Sequence, residues 1–139
     1  MKIIDGGSFI DNRGRIRFAN EFDMKSIRRF YTIDIPDTSI IRAWQGHKKE
    51  TKYFFVQRGS FLVGVVQIDN WESPSEKLMV ETITLSETES RILVIEGGYA
   101  NGFKALEANS SVTIFSDMTI AESKNDDFRF PPEYWRLEL

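Results

Sequence analysis

Apolar and polar residues alternate with a period of two along most of this chain, the pattern of half-buried strands. The alternation runs through RIRFA (15–19), RRFYTIDI (28–35), SIIRAWQ (39–45), KYFFVQ (52–57) and SFLVGVVQI (60–68). It continues through LMVETITL (78–85), RILVI (91–95), EGGYANGFKAL (96–106) and SSVTIFSD (110–117). Turn residues interrupt it roughly every 8–12 positions, the spacing of an all-β sandwich or barrel. Helical periodicity is weak: NEFDMKSI and TIAESKND each offer a single turn.

At 139 residues the chain is expected to form one domain, 1–139, with a core of useful size. Aromatics make up 13%, eleven of them Phe, which suits an aromatic-lined core or pocket. The tail DDFRFPPEYWRLEL is too aromatic to hang free and is expected to pack on the domain or on a partner chain.

Several functions are excluded early. With no cysteine there is no disulfide, thiolate metal site or cysteine nucleophile. A net charge of −3 without a basic block lacks the footprint of a nucleic-acid binder. MKIIDGGSFI is not a signal sequence, and no run approaches the roughly 18 apolar residues of a membrane span. A cytoplasmic location is the resulting expectation, with no membrane partner.

The only histidine, His47, lies in IRAWQGHKKETKYFFVQRGS (41–60). Alternation puts Gln45 and His47 on one strand face, and a hairpin turn at 48–51 brings Lys52 beside them. A neutral imidazole and an ammonium can together remove a proton next to a carbonyl: one takes the proton, the other steadies the enolate oxygen. The competing reading is a solvated histidine at a strand end. A metal site would need three or four ligands, and alternation puts Glu50 on the wrong side, so no metal and no cofactor is expected.

Two further stretches carry polar chemistry. In EGGYANGF (96–103), Tyr99, Asn101 and Phe103 share a face, and Asn101 suits a sugar hydroxyl or carbonyl. In DNRGRIRF (11–18), Arg13, Arg15 and Arg17 share a face, either to grip a pyrophosphate or as a solvated surface paired with Glu21 and Asp23.

The order DNRG, FDMKSIRRFYTIDIP, IIRAWQGHKKETKYFFVQRGSF, VIEGGYANGFKAL, FSD resembles the cupin family of the dTDP-4-dehydrorhamnose 3,5-epimerases and dTDP-sugar 3,4-ketoisomerases, over about residues 6–135. The resemblance implies a double-stranded β-helix (cupin jelly roll), a homodimer, and a nucleotide-linked 4-keto-6-deoxyhexose substrate from surface polysaccharide synthesis. The ketoisomerase hairpin Arg-Gly-x-His-x-His-Lys maps onto residues 42–48, matching Arg42 and His47, with Gln45 at the first histidine. The epimerase lysine maps to Lys52, and the histidine of the second motif to Asn101. The epimerase tyrosine acid has no counterpart between Thr113 and Thr119. These matches imply an isomerase or epimerase with His47 and Lys52 catalytic. Gln45 and Asn101 would hold hydroxyls, Arg42 and one of Arg13, Arg15 or Arg17 would hold the pyrophosphate, and Tyr53, Trp44 or Tyr99 would stack on sugar or thymine. The alternatives are a cupin that binds a sugar nucleotide without turnover and a metal cupin such as a dioxygenase.

Overall fold

The computed structural model describes residues 1–138. Its strands are β1 (Lys2–Asp5), β2 (Gly7–Asp11), β3 (Gly14–Phe18), β4 (Arg29–Ile35), β5 (Ile41–His47) and β6 (Lys52–Arg58). They continue with β7 (Ser60–Gln67), β8 (Glu81–Ser86), β9 (Arg91–Ile95), β10 (Tyr99–Ala105), β11 (Ser110–Ser116) and β12 (Phe128–Arg129). A single-turn helix, α1 (Ile120–Ser123), begins at a capping box of Thr119 and Glu122. No described helix is long and apolar enough to cross a membrane.

Two antiparallel five-stranded sheets face each other, in the orders β1-β9-β6-β11-β4 and β12-β5-β10-β7-β8. This is the all-β jelly roll expected from the sequence. β2 and β3 form a separate hairpin. NEFDMKSI forms turns and no helix, with the Asp23 carboxylate accepting a hydrogen bond from the Lys25 N–H at 3.0 Å. Strands β1 and β2 go beyond the expected pattern, because KIID and GSFID are too short to show a period.

The inner faces meet in a core of Phe54, Val56, Phe61, Val63, Val65, Leu93, Phe103, Val112 and Ile114. The outer face of the second sheet carries another cluster, in which the tail residues Trp135 and Leu137 cover Trp44, Leu62, Val66 and Ala100. Trp44 donates from its indole nitrogen to the Trp135 carbonyl at 3.0 Å. Because β7 is buried on both faces, SFLVGVVQ reads as a nearly continuous apolar run. The tail thus packs on the barrel, and its course brings residues 127–130 to the open end.

Glycine permits the Trp44 seat. Gly64 and Gly102 are cross-strand partners beneath the indole. A Cβ on Gly102 would lie 2.7 Å from the Ala43 Cβ and 3.0 Å from Trp44. Gly102→Ala is therefore expected to destabilise the fold by about 1–3 kcal/mol through overpacking, measured as a lower denaturant midpoint with unchanged slope.

Candidate active site

One end of the barrel is open. A cavity of about 620 Å³ lies between the sheets, floored by Phe54, Phe103 and Ile114 and walled by polar side chains. β4 supplies Arg29 and Tyr31; β5 supplies Arg42 and Gln45; β6 and β10 supply Lys52 and Asn101. The tail adds Asp127 and Arg129.

Strict alternation would put Arg42 and Gln45 on opposite faces. β10 pairs Asn101 with Gln45 but Phe103 with Arg42, so β5 carries one extra residue there. This bulge turns both side chains toward the cavity. β12 then pairs with β5, with Arg129 opposite Gln45, which holds the tail against the site.

A chain of hydrogen bonds crosses the wall. Lys52 Nζ donates to Gln45 Oε1 at 2.8 Å, and Gln45 Nε2 donates to Asp127 Oδ1 at 3.1 Å. Arg129 donates to both Asp127 oxygens, at 2.8 and 3.3 Å. The two ends of the amide are thus both used, joining an amine to a carboxylate. Burial pulls the Lys52 amine down to about 8, with Glu50 opposing and the Arg29 and Arg129 guanidiniums assisting. The Arg129 hydrogen bond holds Asp127 below the usual carboxylate range. Tyr31, under the Arg29 guanidinium at 5.1 Å, is pushed up by burial and stays a neutral phenol. Asn101 is buried and donates to the Gln45 carbonyl at 3.4 Å.

The structure corrects the expected place of His47. It belongs to the inner face but lies behind the cavity wall, 2% exposed. Its Nδ1 is 2.6 Å from the Asp126 carbonyl, which can only accept, so Nδ1 carries the proton. Nε2 is buried and has no hydrogen-bond partner among the described residues. Burial, then the Lys52 charge, lowers the imidazole's affinity for a proton against the pull of Asp126 and Glu50. The imidazole is neutral at pH 7 but does not face the space a substrate would occupy.

Glu50 is also placed differently from the expectation. Alternation does not extend through the 48–51 turn, and the carboxylate folds inward, 3.5 Å from His47 Nδ1. It accepts from Ser116 Oγ at 2.5 Å, Ser123 Oγ at 2.6 Å and Arg29 at 3.1 Å. Asp126 closes the same turn by accepting from the N–H groups of Lys48, Lys49 and Glu50 at 2.7, 2.9 and 2.8 Å.

The expected substrate contacts divide. Arg42, Gln45, Lys52 and Asn101 meet on the cavity wall; Tyr53, Tyr99 and Arg15 do not. Tyr53 points to the outer face of β6 and packs on Phe22, ring centres 5.0 Å apart. Tyr99 packs against the core at the strand end opposite His47. Arg15 is exposed on the β2–β3 hairpin. Its neighbours are engaged elsewhere: Arg13 with Asp11, and Arg17 with the carbonyls of Val56, Gln57 and Glu87. Arg29, Tyr31, Asp127 and Arg129 are cavity residues that sequence reasoning did not single out. Alternation in RRFYTIDI points to the first two; nothing local points to the others.

Fold and site geometry together define an all-β jelly roll with an amine and several guanidiniums at its mouth. No protein-family model matches the chain, and no curated protein matches its sequence. Solved structures share the fold. A 3,4-ketoisomerase from Helicobacter canadensis superposes with a TM-score of 0.72 at 18% identity, over 96% of this chain and 92% of that one. A dTDP-4-dehydrorhamnose 3,5-epimerase from Bacillus anthracis, with TDP and pyrophosphate bound, gives 0.73 at 20% identity, over 90% of this chain and 75% of that one. A mutant 3,4-ketoisomerase from Thermoanaerobacterium thermosaccharolyticum, in complex with TDP-4-keto-6-deoxyglucose, gives 0.71 at 20%, over 96% of this chain and 89% of that one.

Proposed function

We propose that this protein is an isomerase or epimerase of a nucleotide-linked 4-keto-6-deoxyhexose, acting by proton transfer next to the keto group. The observation that carries this reading is the Lys52–Gln45–Asp127 chain on the cavity wall. It sets a group for the carbonyl and a group for the adjacent proton on either side of one amide. Lys52 meets the ketone. Asp127, the one carboxylate on the wall among the described residues, takes the proton from the neighbouring carbon and returns it. Tyr31 supplies a neutral hydroxyl to the sugar oxygens, and Asn101 holds a hydroxyl. Arg42 at the exposed rim, with Arg29 and Arg129, suits a diphosphate. His47 is a positioning residue in this scheme, fixing the segment at Asp126 that leads into Asp127.

The reading includes a cytoplasmic role in polysaccharide synthesis and a homodimer. The exposed Phe9, Ile10 and Ile16 of the β2–β3 hairpin support an apolar interface there. The test of the activity is incubation with TDP-4-keto-6-deoxyglucose in D₂O. Deuterium is expected at a ring carbon beside the ketone at least about 10²-fold faster than without protein. Absence of incorporation overturns the reading. Calorimetric binding without incorporation would instead establish a cupin that holds sugar nucleotides without turnover.

A further inference from the structure

Lys52 has an uncommon environment for a buried lysine. It is 4% exposed on the inner face of β6, yet it reaches the cavity wall. Its hydrogen bond goes to a neutral amide oxygen, Gln45 Oε1. Among the described residues it forms no ion pair. Buried ammonium groups are normally paired with a carboxylate. Here Glu50 is bound by Arg29, Ser116 and Ser123, and Asp127 is held by Arg129. An amine kept from its counter-ion and crowded by guanidiniums is a nucleophile in waiting.

Asp127 is acidified by its bond to Arg129, so it is a weak acceptor for a carbon-bound proton. A ketone that merely receives a hydrogen bond gives such a base little help. A positively charged C=N bond makes the adjacent C–H far more acidic, because the departing electron pair neutralises the nitrogen.

We propose that Lys52 captures the substrate ketone covalently as a protonated imine, and that proton transfer proceeds from that adduct. This inference rests on the keto-sugar reading above. The neutral Nζ attacks the carbonyl carbon; the N–C bond forms as the C=O π pair moves to oxygen. Oxygen takes up a proton and nitrogen gives one up, leaving a carbinolamine. The C–O bond then breaks and the hydroxyl leaves as water, with a proton from the Tyr31 phenol, which the cavity returns from solvent. The Tyr31 ring centre is 5.9 Å from Nζ. The balance is amine plus ketone plus one proton giving iminium plus water, with no oxidant or reductant. Gln45 holds the nitrogen through Oε1 and the accepting carboxylate through Nε2, so both partners are in place before substrate arrives. Asp127 takes the proton from the carbon beside the C=N bond, leaving a neutral enamine; a proton returned to that same carbon from the other face restores the iminium, and hydrolysis by water then frees the amine and the epimerised ketone.

The wild-type protein is mixed with TDP-4-keto-6-deoxyglucose and sodium cyanoborohydride, and the intact mass and peptide map are read. Deuterium incorporation is measured on the same preparation. The expected result is a protein heavier by the sugar nucleotide less one oxygen atom, with the modification on Lys52 and trypsin unable to cleave there. In H₂¹⁸O without reductant, the ketone oxygen is expected to exchange at least about tenfold faster than without protein. Deuterium incorporation with neither adduct nor oxygen exchange overturns the imine and leaves the isomerase reading intact. An adduct on other lysines alone also overturns it. Neither binding nor incorporation nor adduct overturns both proposals. Lys52→Arg keeps the charge but cannot form the imine, and its failure to give the Lys52 adduct while remaining folded completes the expected set.

Discussion

Replacing Lys52 with methionine is expected to reduce turnover of the keto sugar nucleotide by about 10³–10⁴-fold while leaving the protein more stable at neutral pH. The two effects have one cause. Unfolded, Lys52 holds its proton up to its ordinary value of 10.5; folded, burial first and the nearby guanidiniums next bring that down to about 8. Between those values the unfolded chain binds more protons, so this residue's contribution to stability improves as pH rises through the window from 8 to 10.5. Below about 8 the folded state carries the whole penalty of a buried ammonium, on the order of 3 kcal/mol. Methionine removes that penalty and fills much of the same volume, but leaves Gln45 Oε1 without its donor, which costs about 1–2 kcal/mol. The net gain is about 1–2 kcal/mol at pH 7 and shrinks above pH 8, read from denaturant midpoints at several pH values. Activity of the wild type is expected to rise with pH as the amine loses its proton, through about 8. A lysine acting only as an ammonium would give the opposite slope. Turnover within tenfold of wild type in Lys52→Met, or a loss of stability, would sink this account of the site.

The strand framework was legible because its cause is local: one face apolar, the next polar, with turn residues between. The same alternation brings Gln45, Lys52 and Asn101 to one surface, and the hairpin turn sets Gln45 within reach of Lys52. It fails where the backbone departs from a regular strand. The bulge in β5 that turns Arg42 inward leaves no signature in IRAWQ, and the 48–51 turn folds Glu50 to the side that alternation denies it. Asp127 and Arg129 depend on a two-residue strand whose pairing is set by distant packing of Trp135 on Trp44. Arg17 shows the limit of charge spacing: its guanidinium meets three backbone carbonyls and the Phe55 ring, a partner set that no sequence interval announces. The resemblance to sugar-nucleotide enzymes led to the correct fold, but Gln45 stands at the family's first histidine, and His47, the imidazole expected to act as base, is sealed behind the wall.

Glu50→Ala is expected to cost about 4–5 kcal/mol, a large part of the stability of a domain this size. The side chain is fully buried and receives one guanidinium and two hydroxyls, drawn from β4, β11 and α1. Truncation leaves the partly buried Arg29 charge without its carboxylate and strands the Ser116 and Ser123 hydroxyls. Arg29 keeps a bond from Nε to the Met118 carbonyl at 3.0 Å, so it cannot simply swing out to water. Glu50→Gln preserves shape and a carbonyl acceptor but removes the charge, and is expected to cost about half as much. The double variant Glu50→Leu, Arg29→Met removes both charges together and is expected to recover most of the loss, because the penalty lies in the unpaired partner rather than in the missing attraction. That recovery separates a buried ion pair from a general packing defect, which would make the double variant worse than either single one. A cost below about 1 kcal/mol for Glu50→Ala would mean that water reaches the carboxylate and that the cluster does not clamp β4, β11 and α1 around the cavity.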